Sequence, residues 1–256
     1  MTGDSIRTIP TSAPELSAAT GQAAWSGHAV RAVVARRCGI AALVALTGTV
    51  VVFAVLHLLP ATRRISPVTR TISEYALTDV AWLFNLGVLM LVAASVAVFG
   101  GLALLGRVRA LGVGTLFAAL WVGGLLTLVS FPKHNWALGA VSTSGQVHRL
   151  ASLVAFLALP VAVLATARSR GRTGDLAAAR WAFWLAVLTL AWFSPLLYAV
   201  LIAPLTGTPW WQAIPLGLVE RGLALTEVLA TAALAVLLVR SAAPAPVSAA
   251  APTPAR

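Results

Sequence analysis

Seven carboxylates and four histidines, set in a strongly apolar background, bound the chemistry open to this chain. Glu220 and Glu227 lie seven residues apart, so on a helix they share one face. Arg221 is turned by about 100° from Glu220, so these neighbours do not face each other and Arg221 is expected to pair across helices, with Glu74 or Asp79. A charged side chain within an apolar run costs several kcal/mol unless it is paired or wetted, which makes such residues functional candidates. The blander alternative is an ion-paired plug that only fixes the fold. His57, His134 and His148, with Asp79 or Glu74, contain the donor types of a metal site, but no tight ligand spacing supports one. Haem held by His57 and His148 is weaker still, and neither a metal nor a cofactor is expected.

Several other chemistries lack their residues. The only lysine, Lys133, falls between apolar runs, where it cannot form a buried Schiff base. The zinc-protease pattern H-E-x-x-H is absent. Ser144 and His148 stand near each other without the G-x-S-x-G turn that exposes a nucleophilic serine. Cys38 is the single cysteine, so no intrachain disulfide can form.

The elements that must position these residues are read from composition. The chain is 59% hydrophobic and 10% charged over 256 residues, against about 25% charged in a soluble domain. Its apolar residues fall into six runs, near 38–59, 80–105, 110–131, 147–167, 181–203 and 214–239. Each run has the length a helix needs to cross a bilayer. The short alternating segments of a barrel are missing, so the expected fold class is all-α: a polytopic bundle of six transmembrane helices over 38–240. Residues 1–37 and 241–256, rich in Ser, Thr, Ala, Gly and Pro, read as disordered tails on the cytoplasmic side. The first apolar run begins too late for a signal peptide. Pro160 and Pro195 fall inside the fourth and fifth runs, where each is expected to kink a helix rather than break it. Scattered glycines in the second and third runs suit close helix packing.

The net charge of +11 is carried by residues between the apolar runs, which excludes a nucleic-acid face and suits topology signalling and contact with anionic lipid. Twelve of these basic residues fall on one side and five on the other, with Arg221 left over. The richer side is expected to be cytoplasmic, giving both termini inside (N-in/C-in). Trp210 and Trp211 then lie in an outer loop, where interfacial aromatics belong. The arginine-rich, alanine-rich composition points to a bacterial plasma membrane.

Helix rise converts sequence position into depth. His57, Asp79, Ser130 and His148 come out near the outer boundary, each about 30 Å from its helix's inner arginine or opening its span. Asn85 and Glu227 both come out about 10 Å below that boundary, and so are expected to approach each other inside the bundle.

Three stretches carry a family likeness: ISEYALTDVAWLFNLG (72–87), FPKHNWALGAVSTSGQVHRLASLVAFLALP (131–160) and GLVERGLAL (217–225). Over about residues 38–240 the chain resembles a bacterial six-span family catalogued as domain of unknown function 998. The resemblance implies motif positions at Ser73, Glu74, Tyr75, Phe131, Pro132, His148 and Arg221. The chain departs at Lys133-His134, where a Thr-Asp type pair is expected, so an acid-dependent mechanism there has lost its acid. The resemblance implies the same six-span fold and does not supply an activity.

The reading that unites these observations is an outward-facing polar pocket walled by Glu74, Tyr75, Asp79, Asn85, His148, Glu220, Arg221 and Glu227. Arg and Tyr suit recognition of phosphate or carboxylate, so the expected role is binding or sensing a lipid headgroup or small molecule. Membrane lipids are then the expected partners. Three other classes stay open: a small-solute transporter, proton-coupled through Glu227; an intramembrane lipid-modifying enzyme using His148; and an accessory subunit.

Overall fold

Lipid offers a peptide group no hydrogen-bond partner, so each apolar run must satisfy its backbone within its own helix. In the computed structural model, residues 13–134, 142–168 and 176–243 are described, the side chains of 13–26 apart. Seven helices account for them: α1 (Ala13–Leu58), α2 (Ala81–Leu104), α3 (Val113–Ser130), α4 (Thr143–Arg168), α5 (Leu176–Ala191), α6 (Ser194–Thr206) and α7 (Leu216–Ser241). They supply six apolar segments long enough to cross a membrane, with α5 and α6 together forming the fifth. Among the described residues there is no strand. The all-α, six-span architecture expected from composition is the one observed.

Two boundaries differ from expectation. Helix α1 begins at Ala13, well before the expected start at 38, and runs on through Gly21 and Gly27. The candidate span within it runs Gly27–Leu58. The expected C-terminal tail lies outside the described residues from 244 onward, as does the N-terminal tail up to residue 12. The second difference concerns Pro195, which breaks its span instead of kinking it. It sits in the first turn of α6, where a missing N–H costs nothing. Before it the chain tightens, with Phe193 N donating to Leu190 O at 3.1 Å, and then restarts as α6. Pro160, by contrast, stays within an unbroken α4.

Helix α7 is the centre of the bundle. It packs against α1, α2, α4 and α5, while α1 pairs with α2 and α3 with α4. Small residues set the closest approaches. At Gly124 an added Cβ would lie 3.0 Å from Ala151 O and from Ala155 Cβ, so α3 and α4 meet backbone to backbone. Many large apolar side chains remain exposed around the bundle, as a lipid-facing surface requires. Exposed Trp82 and Trp211 lie at one end and exposed Trp181 toward the other, which matches the aromatic belts of a spanning protein. At the end where α1 finishes and α7 begins, residues 59–80 fold as a cap with two short 3-10 turns, Pro60–Thr62 and Ile72–Leu77.

Candidate functional site

The cap is tied to α7 by its backbone. Leu218 N donates to Val68 O at 3.0 Å, and Ile72 N donates to Glu220 Oε2 at 2.6 Å. This contact needs Gly217. A Cβ there would lie 2.8 Å from Arg70 N and Pro67 O, and closer still to Arg70 O. Only glycine lets the cap backbone reach the first turn of α7.

One turn further, Arg221 gathers the cap and α1. Its Nε donates to His57 Nε2 at 2.7 Å, and Nη1 donates to Arg70 O at 2.7 Å and Gly217 O at 3.0 Å. Nη2 donates to Tyr75 Oη at 3.3 Å, and the guanidinium carbon lies 5.9 Å from the centre of the Tyr75 ring. Since His57 Nε2 accepts, its Nδ1 carries the proton and donates to Phe53 O at 2.6 Å. The His57 and Tyr75 rings meet edge to face at 5.4 Å. All four acceptors of Arg221 are neutral. Of its five N–H groups, these bonds use four and leave one on Nη2.

This corrects the expected pairing of Arg221 with Glu74 or Asp79. Glu74 is already held by Arg70 Nε and by Lys133 Nζ, both at 3.3 Å. Lys133 also donates to Thr71 Oγ1. Among the described residues these are the ion pairs of the cap, and Arg221 forms none. Lys133, the departure from the family pattern, thus acts as a strut between the α3–α4 connection and the cap. Asp79 is exposed ahead of α2.

Below Arg221 lies a cavity of about 300 Å³ bounded by α1, α2, α3, α4 and α7. Its mouth is formed by His57, Ile72, Ser73, Glu220 and Arg221. Its walls are overwhelmingly apolar, with Phe53, Phe84, Trp121 and Phe156 contributing rings. Val50 and Leu225 line it and are also exposed, so the cavity meets the bundle surface at the seam between α1 and α7. Glu227 lines it about 10 Å further along α7 than Glu220, at the helical rise of 1.5 Å per residue.

Of the residues expected in the wall, those that line this cavity are all on α7. Glu220 and Glu227, which share a helix face, line the cavity, and so does Arg221 beside them. Tyr75, 1% exposed, sits behind Arg221 and orients it. Glu74, Asp79, Asn85 and His148 are not among the lining residues. Asn85 does not meet Glu227, whose two carboxyl oxygens have no hydrogen-bond partner. Depth alone placed these two together; the rotation of α2 about its axis separates them. His148 is buried, with Nδ1 donating to Phe131 O at 2.9 Å and Nε2 unpartnered. It locks the end of α3 to α4 and leaves the cavity. His134 is buried beside Gly145, likewise away from the lining. Among the described residues no group of three potential metal ligands occurs.

Sequence reasoning passed over His57 and Trp121 as site residues. The signal for His57 was present, since helix rise placed it at the level of the mouth. Trp121 carried none, because an aromatic in an apolar span is equally at home facing lipid.

The three stretches that carried the family likeness meet in this structure. Ser73, Glu74 and Tyr75 lie on the cap, Phe131 and His148 brace the α3–α4 end, and Arg221 joins cap to α7. A family model described as "Protein of unknown function (DUF998)" matches residues 43–237. No curated protein matches, and no solved structure matches.

Proposed function

Taking as premise that the chain belongs to the DUF998 family, a family of unknown function, we propose that it is a receptor site for an amphipathic molecule bearing an anionic oxygen. The headgroup sits at Arg221 and the apolar part occupies the cavity beneath it. The observation that carries this reading is Arg221 itself. It is a guanidinium fixed by neutral acceptors, with one N–H uncommitted, at the mouth of an apolar cavity. A planar guanidinium matches carboxylate and phosphate oxygens, and holding it rigid in advance removes part of the ordering cost of binding. The exposure of Val50 and Leu225 supports arrival of the ligand from the surrounding lipid, through the α1–α7 seam.

The six apolar spans make this a multi-pass membrane protein. We place it in a bacterial plasma membrane with both termini inside and the cap outside, on the excess of arginine at the opposite end. A single cysteine introduced at residue 174, with Cys38 replaced by serine, tests the orientation. It is expected to resist an impermeant thiol reagent in intact cells and to react once the cells are opened. Labelling in intact cells would invert the topology.

Binding is tested by native mass spectrometry of the full chain released from zwitterionic nanodiscs. Wild type is expected to retain one dodecyl phosphate, and Ala224→Phe, which fills the cavity from α7, to retain at least tenfold less. Inorganic phosphate distinguishes a lipid from a free anion. Retention of phosphate alone by both proteins would assign the mouth to a soluble anion and leave the cavity unused. No retention of either would overturn the reading.

A further inference from the structure

Glu227 is the one side chain of this cavity that the Arg221 mouth does not explain. It is 1% exposed, on the central helix, and both its carboxyl oxygens lack a hydrogen-bond partner. A carboxyl group buried in apolar surroundings needs a cation, hydrogen-bond donors or a proton.

Four polar side chains that line the cavity or adjoin Glu227 are already committed. Trp121 Nε1 donates to Ser95 Oγ at 2.9 Å. Thr49 Oγ1 donates to Ala45 O at 3.0 Å, with Gly87 O at 3.2 Å. Ser152 Oγ donates to His148 O at 2.8 Å, and Thr226 Oγ1 to Leu223 O at 2.8 Å. By helical rise Thr49 and Trp121 lie about 13 Å in from the cap ends of α1 and α3, and Glu227 about 16 Å in from that of α7. None of these side chains donates to Glu227.

We propose that Glu227 anchors the protonated nitrogen of a lipophilic amine, a ligand class distinct from the anionic amphipath at Arg221. A monovalent organic cation brings the one charge that a lone carboxylate requires. An alkyl or aryl body removes the surrounding apolar wall from the solvent that entered with it. Aromatic rings line the same cavity, Phe84 and Trp121 among them, and an aromatic face attracts a cation most strongly in a site shielded from water. A divalent metal fits poorly, since the described residues provide no cluster of ligands around this carboxyl. The α1–α7 seam gives such an amine access from the lipid, so occupation of the floor does not depend on the Arg221 mouth.

The test uses the full chain in zwitterionic nanodiscs and three probes with the same chain length: dodecylamine, dodecanol and dodecanoate. Native mass spectrometry counts the molecules retained per chain. Wild type is expected to retain one dodecylammonium, and Glu227→Gln at least tenfold less at the same free concentration. Glu227→Asp, which keeps the charge, is expected to fall between the two. The thermal transition of Glu227→Gln, at or above that of wild type, separates lost binding from lost folding. Equal retention of dodecylamine by wild type and Glu227→Gln, or none by wild type, overturns the proposal. Retention of dodecanol as strong as that of dodecylamine also overturns it, by assigning the floor to a neutral donor. Dodecanoate reports on the Arg221 reading: its failure beside a retained amine removes that reading and leaves this one standing.

Discussion

Replacing Arg221 by alanine is expected to destabilise the protein by roughly 3 kcal/mol and to abolish retention of dodecyl phosphate. The energy follows from what the side chain holds. It donates to His57, Arg70, Gly217 and Tyr75, and so joins α1, the cap and α7 at one point. Removing it leaves the Tyr75 hydroxyl and His57 Nε2 without their donor, at a place where water reaches only part of the site. Hydrogen bonds to a charged group contribute about 1.5–3 kcal/mol each, but those sharing one side chain are not additive, so the total stays well below their sum. Arg221→Lys is expected to recover only a minor part. An ammonium carries the charge, yet cannot span acceptors arranged around a planar fork. Thermal unfolding in detergent measures the stability, and native mass spectrometry measures the binding. If Arg221→Lys matched wild type in both, the fixed guanidinium would have no special part in the site.

The second large effect is expected at Gly217. Gly217→Ala should cost about 3 kcal/mol, because its Cβ would meet backbone atoms of Pro67 and Arg70 rather than the movable end of a side chain. Relief requires the cap to lift from α7. That breaks the Leu218 N to Val68 O bond and withdraws Arg70 O from Arg221. Gly123→Ala is the matched control. Nothing lies within 4 Å of a Cβ there, so the change is expected to stabilise α3 by about 0.5–1 kcal/mol through helix propensity. Hydrogen exchange over residues 66–72 should rise in Gly217→Ala and stay unchanged in Gly123→Ala. Equal protection in the two variants would mean that the cap does not depend on this close approach.

These two residues also show how the three stretches that carry the family likeness come together in this chain. Glu220, Arg221 and Gly217 face a cap whose Ser73, Glu74 and Tyr75 are useful only when docked. Lys133 reaches the same cap from the α3–α4 side. At the Lys133-His134 departure, His134 stands where an acid was expected, and Lys133, where a threonine was expected, brings a cation that Glu74 receives.

The sequence by itself determined the architecture and the depth of each polar group. Apolar length dictates a spanning helix because lipid leaves the backbone no other way to satisfy itself. A fixed rise of 1.5 Å per residue places His57, Glu220, Arg221 and Glu227 along the membrane normal. The same local rule put Glu220 and Glu227 on one face, and both line the cavity. What the tertiary structure decided was rotation and neighbourhood. A spanning helix is apolar on every side, so periodicity does not reveal which face turns inward. Asn85 and Glu227 share a depth and do not meet; His148 shares the depth of the mouth and faces Phe131 instead. The partner of Arg221 was misassigned for the same reason. Coulomb attraction named Glu74, but the fold gave Glu74 to Arg70 and Lys133 and gave Arg221 three neutral oxygens and an imidazole as hydrogen-bond acceptors. Depth is a property of one helix, whereas an arginine held by neutral acceptors above a glutamate without a hydrogen-bond partner exists only once five helices have closed around them.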